Sequence, residues 1–105
     1  MRDSRLREIE ARIAALAPSY LRRRATDVVQ LRESNARADW ASIGAIGHEL
    51  RGSGACYGFP WITEIGGRLE AAAERRNAED VSRLTDALEA QLAREDSDQS
   101  GQRSR

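Results

Sequence analysis

Apolar residues in this chain recur at steps of three and four along every long segment, and alternation with period two is nowhere sustained. That spacing winds one apolar stripe along an α-helix and gives a β-strand no face to bury. Leu6, Ile9, Ile13 and Leu16 form the first stripe. Pro18 then interrupts, because proline is tolerated best in the first turn of a new helix. Leu21, Ala25, Val28 and Leu31 or Arg32 continue as a second stripe, with the Arg22–Arg24 run read as its solvated face. Asp39 is an expected N-cap for a third helix, in which Ile43, Ile46, Leu50 and Tyr57 share a side, with Ser53 and Gly54 completing the row. Gly58 supplies the stop. Phe59-Pro60 opens a fourth helix that buries Ile62, Ile65, Leu69 and Ala73. Asn77 caps a fifth, striped by Val81, Leu84, Leu88 and Leu92.

Helices of this length joined by short turns pack as an all-α, up-and-down antiparallel four-helix bundle. The short N-terminal segment either crosses one end or continues the second helix. The expected domain covers residues 1–93, and the polar stretch 94–105 is expected to be a disordered tail with nothing to bury. Trp40 and Trp61 are read as edge or core packing.

Several function classes fall away on composition. Lys and Arg total 17 against 17 Asp and Glu, so binding nucleic acid or an anionic membrane through net positive charge is not expected. One Cys allows no internal disulfide, which fits a reducing compartment, and one His with one Cys is too few for a tetrahedral structural zinc site. The longest uncharged stretch, Gly52 to Thr63, is far short of a membrane-spanning helix, and the N-terminal residues lack the apolar core of a secretory signal. A soluble, cytoplasmic, monomeric domain is the expectation.

His48, the lone histidine, lies in the third helical segment. Counting about 100° per residue from Ile46, Leu50 falls at about 40°, Ile43 at about 60° and Tyr57 at about 20°. His48 falls at about 200°, opposite the buried stripe. It points outward. Its helical neighbours are Gly44, Ala45, Arg51 and Gly52, with Ala41 and Ala55 a turn further on, a face stripped to small residues and one cation. Glycine within a helix costs up to about 1 kcal/mol relative to alanine, so Gly44 and Gly52 beside an exposed imidazole suggest a surface kept clear for close approach. Arg51 can fork its hydrogen bonds to a phosphate or carboxylate. Imidazole, cation and bare surface together describe a nucleophile that takes up an anionic group from a docked partner.

The string from His48 to Phe59, HELRGSGACYGF, resembles the signature of the histidine-containing phosphotransfer (HPt) family, His-x-Leu-Lys-Gly-Ser followed by a helix-closing Gly. Leu69-Glu70 falls where that family has its Leu-Glu pair in the next helix, and the similarity runs from about Leu21 to Leu92. The resemblance implies a four-helix bundle whose exposed histidine carries a phosphoryl group between receiver-domain aspartates. Position by position, it implies that His48 is the phosphoryl acceptor and Arg51 holds or neutralises the phosphoryl group. It further implies that Gly52 leaves room for the receiver's active site and that Glu70 hydrogen-bonds near the imidazole. Gly44, Ala45 and Ala55 join Gly52 on the expected receiver-docking face. Arg51 departs from the family's usual Lys, keeping the charge but offering a larger planar group. For Glu70 a plain surface ion pair stands beside the functional role. Ser53 and Cys56 are read as packing or backbone hydrogen bonding.

The expected partners are receiver domains of response regulators or hybrid histidine kinases, with no nucleic acid and no membrane. No cofactor of its own is expected, and the divalent cation would sit in the partner receiver. No Gly-x-x-x-x-Gly-Lys-Ser/Thr stretch occurs, so the chain is expected not to use ATP and not to be an autonomous enzyme. A helical docking module that binds a kinase or receiver without being phosphorylated shares every one of these features except the need for His48. A small acid–base hydrolase is poorly served by one histidine on a convex face.

Overall fold

The computed structural model describes residues 2–103, with side chains for residues 4–98. Four helices follow in order: α1 (Arg2–Ala36), α2 (Trp40–Ser53), α3 (Pro60–Glu74) and α4 (Ala78–Arg103), with a 3-10 turn at Ala55–Tyr57 between α2 and α3. Among the described residues there is no strand. Each helix packs on its neighbours in the chain, and α1 closes the ring against α4. This is the expected all-α up-and-down bundle.

The core is built from the stripes. Leu21, Val28 and Leu31 of α1 meet Ile43 and Leu50 of α2, Ile62 and Leu69 of α3, and Val81 and Leu88 of α4, all buried. Ile46, Tyr57, Ile65, Leu84, Leu92 and both tryptophans pack against this cluster half-buried. Each fully buried aliphatic side chain contributes about 1.5–3 kcal/mol.

The caps follow local chemistry. Asp39 accepts from the Ser42 backbone N–H at 3.1 Å and from the Ser42 hydroxyl at 2.6 Å. Those two hydrogen bonds hold its carboxyl below the usual range. The Asp80 N–H donates to Asn77 Oδ1 at 3.1 Å, capping α4. At the far ends of α1 and α3 the chain turns through Ala38 (φ 54°) and Arg76 (φ 53°), left-handed positions that glycine usually fills.

Four local expectations are corrected. Pro18 does not interrupt: α1 runs through it, so the N-terminal segment continues the second helix. The proline deletes one backbone N–H, but helix-favouring Arg, Ala, Leu and Glu residues on both sides keep the turns going. Leu6, Ile9 and Leu16 of that extension stay exposed. Secondly, Ala25 is exposed and Arg24 takes the inward position, because the buried series Leu21, Arg24, Val28, Leu31 steps by three, four and three. Arg22 and Arg23 are solvated as expected, whereas Arg24 is only 2% exposed. Its guanidinium lies 4.6 Å from the centre of the Tyr20 ring and pairs with Asp27 at 3.1 Å and Glu49 at 3.4 Å. Burial pushes the Asp27 carboxyl above its usual range against the pull of Arg24.

Thirdly, α2 ends at Ser53, short of the expected Tyr57. Gly54 is wedged against α3, where a Cβ would stand 2.6 Å from the Thr63 nitrogen and 2.8 Å from the Phe59 carbonyl oxygen. The backbone tightens there into the 3-10 turn, which Gly58 closes at φ 91°. Fourthly, α4 continues to Arg103 through the stretch expected to be disordered. Nothing before Gly101 breaks a helix, and Asp96 and Leu92 line a groove with Pro18, Leu21, Arg22 and Val28 that sets α4 beside α1. Residues 104 and 105 of that tail lie outside the described residues.

The closest approach in the bundle is between α2 and α3. A Cβ on Gly47 would lie 2.8 Å from the Gly66 carbonyl oxygen and 2.9 Å from the Glu70 nitrogen. A Cβ on Gly66 would lie 2.6 Å from the Gly47 carbonyl oxygen, 2.8 Å from Leu50 Cβ, and against the Arg51 nitrogen. These separations admit hydrogen and nothing larger.

Two expectations follow for chemical denaturation. Gly66→Ala forces the two backbones apart and lowers stability by about 1–3 kcal/mol despite alanine's better helix propensity; an unchanged denaturation midpoint would show the helices part freely. Ala38→Gly relieves a left-handed alanine and raises stability by about 0.5–1 kcal/mol, the strain removed exceeding the added unfolded-state entropy. A lower midpoint for that variant contradicts this account of the α1–α2 turn.

Candidate functional site

The Gly47–Gly66 contact decides what stands beside His48. His48 follows Gly47 on α2, and Glu70 lies one turn beyond Gly66 on α3, so the two side chains project from the tightest part of the bundle. His48 Nδ1 lies 3.2 Å from Glu70 Oε2. The histidine side chain is 70% exposed and that of Glu70 24%. The imidazole therefore stands in solvent with one nitrogen anchored at its base.

Arg51 reaches the same carboxylate from the other side. Its Nε lies 3.1 Å from Glu70 Oε1, and its side chain is 54% exposed. The aliphatic stem lies across α3 at Gly67, where a Cβ would meet Arg51 Cδ at 3.6 Å. Glu70 Oε1 is buried and receives no aligned hydrogen bond, so the Arg51 contact is an ion pair alone. One carboxylate thus serves two cation-forming groups, with a distinct oxygen for each.

Around the ring the surface is low. Gly52 is exposed, and a Cβ there would meet nothing within 4 Å. Ala45 and Ala55 are exposed, the latter on the 3-10 turn rather than on α2. Gly44 is half-buried, and a Cβ there would meet Ala73 Cβ of α3 at 3.9 Å, so only part of it belongs to the open face. The Ser53 hydroxyl donates to the Glu49 carbonyl at 2.8 Å and lies 2.7 Å from the Tyr20 hydroxyl, a link between α2 and α1. Cys56 is exposed with its sulfur 3.9 Å from the Gly52 carbonyl oxygen. Among the described residues no group of His, Cys, Asp and Glu is arranged to hold a metal ion.

His48, Arg51, Gly52 and Glu70 are therefore brought together. The sequence reading missed Gly47, Gly66 and Gly67, which make that meeting possible, and the buried Arg24, which ties α1 to Glu49 beside His48. A signal for the glycines existed: two adjacent glycines inside an otherwise regular helix each forfeit up to about 1 kcal/mol and imply a backbone that must come close.

The arrangement can do one kind of chemistry well. A carboxylate only accepts hydrogen bonds, so the neutral ring carries its proton on Nδ1 and keeps the Nε2 lone pair free. That nitrogen is a nucleophile with a guanidinium nearby and open space on its flank. Among the described residues no helix is long and apolar enough to cross a membrane. No curated protein and no solved structure matches the chain significantly. The family model described as Hpt domain matches residues 4–98, nearly the whole bundle including His48, Arg51, Gly52 and Glu70. A family whose role is histidine phosphotransfer in phosphorelays, with receiver domains as its general partners, is the one this four-helix chain belongs to: the Hpt domain family.

Proposed function

We propose that this chain is a phosphorelay carrier that accepts a phosphoryl group on His48 from the aspartyl phosphate of one receiver domain and passes it to another. The observation that carries the reading is the exposed imidazole held through Nδ1 by Glu70, at 3.2 Å, on a face with open space at Gly52. In the forward step the Nε2 lone pair attacks phosphorus in line, the P–O bond to the receiver aspartate breaks, and the carboxylate leaves with the electron pair. The phosphorylated ring keeps its proton on Nδ1, where Glu70 offsets the imidazolium charge. The reverse sequence delivers the group to the second receiver.

Phosphoryl transfer rests on positioning and charge stabilisation, and a carrier brings little of either by itself. Receivers of response regulators or hybrid histidine kinases would supply the divalent cation and the acidic pocket. Arg51 would neutralise charge on the transferring group, and Ala45, Gly52 and Ala55 would let the receiver's loops settle around the ring. The carrier acts as a monomer in the cytoplasm, with no cofactor and no ATP site of its own.

Transfer of label from phosphorylated receivers tests this. His48→Gln keeps the fold, since the side chain is exposed, and abolishes labelling. Labelling that persists in that variant excludes the carrier role. Gly52→Gln gains helix propensity and meets no neighbour in the bundle, so its thermal midpoint holds or rises while the transfer rate falls at least roughly tenfold through crowding of the receiver. Transfer at the parent rate would show that the open flank plays no part in docking.

A further inference from the structure

Glu70 contacts two partners that phosphorylation would affect differently. His48 Nδ1 is a neutral donor in the resting ring and becomes part of a cation when Nε2 is phosphorylated, so its hold on Oε2 strengthens. Arg51 is already a cation, and the phosphoryl group, with two negative charges close by, competes with Oε1 for it. Three features make Arg51 the partner that moves. Its contact lacks an aligned hydrogen bond, as the unsatisfied Oε1 shows. Its side chain is half exposed, so leaving involves little change in solvation. Its stem rests on Gly67, a surface without a side chain to trap it.

We infer that Arg51 is a two-position side chain, stowed on Glu70 and Gly67 in the unphosphorylated protein and transferred to the phosphoryl oxygens when His48 is loaded. This rests on the carrier reading and adds to it a charge exchange inside the site. Glu70 thereby becomes a positioning residue with two tasks: it fixes the nucleophilic tautomer and it competes with the cargo for Arg51. Releasing the phosphoryl group returns Arg51 to the carboxylate.

The test uses the full chain labelled with ¹⁵N and loaded by phosphoramidate, a small donor that needs no receiver. The P–N bond of the donor breaks as the P–Nε2 bond forms, and ammonia leaves. The Arg51 Nε–H resonance is expected to shift on loading and to return as the phosphoryl group hydrolyses. In Glu70→Gln the unloaded resonance is expected to differ from the parent, with the loaded one close to it. An Arg51 resonance identical in the loaded and unloaded parent overturns the exchange and leaves the carrier reading intact. Failure of both phosphoramidate and receivers to label His48 in a folded protein overturns the two together.

Discussion

The site depends on two helices lying closer than side chains ordinarily allow. Helix axes in bundles are usually about 8–10 Å apart, a spacing set by the residues at the contact. Here the contact residues are Gly47 and Gly66, each facing the other's carbonyl oxygen across a gap that no Cβ could enter. A glutamate and a histidine on separate helices can meet by hydrogen bond only if their backbones are near and their register is held. Gly47 and His48 are adjacent, and Gly66 and Glu70 lie one turn apart, so the point of closest approach also sets that register. Packing and chemistry are thus placed by the same pair of missing side chains.

Much of this was legible before any coordinates. The stripes of α2, α3 and α4 assigned the buried residues well, since a helix's period alone determines which positions share a face. The same counting put His48 on the outside, and it is exposed. What escaped was decided between helices. From Leu21 a step of three reaches Arg24 and a step of four reaches Ala25, and a solitary helix does not choose between them. The choice falls on Arg24 because Tyr20 offers its ring face and Asp27 and Glu49 offer carboxylates. Pro18 and the polar stretch after Leu92 have the composition of interruptions when each is taken alone. In the bundle α1 and α4 run beside one another as far as Asp96, and each helix continues through the stretch that its composition marks as a break.

The early end of α2 shows the same limit from the other direction. Gly54 falls in the buried row, and it is buried, but chiefly by the backbone at Phe59 and Thr63 and by Ile62 Cβ. So close a contact leaves no room for the next turn at full width. The chain tightens, and the Ala55 N–H finds the Thr63 hydroxyl at 2.8 Å instead of a helical carbonyl. Ala55 and Cys56 consequently stand on a 3-10 turn, off the α2 face that carries Gly52.

The charges of the site have their own logic for a carrier. With the ring in its neutral form, His48, Arg51 and Glu70 sum to zero, and the two charged partners among them lie 3.1 Å apart. Loading a dianionic phosphoryl group onto a ring that becomes cationic would leave the site with one net negative charge. Glu70 would act on that state in two opposed ways, offsetting the imidazolium through Oε2 and competing for Arg51 through Oε1. A carrier works between two partners of similar phosphoryl affinity, so strong retention would stall it as surely as weak acceptance. A carboxylate that steadies the loaded ring and competes for the guanidinium would keep retention between those extremes, and it acts from a half-buried position where solvent only partly screens it.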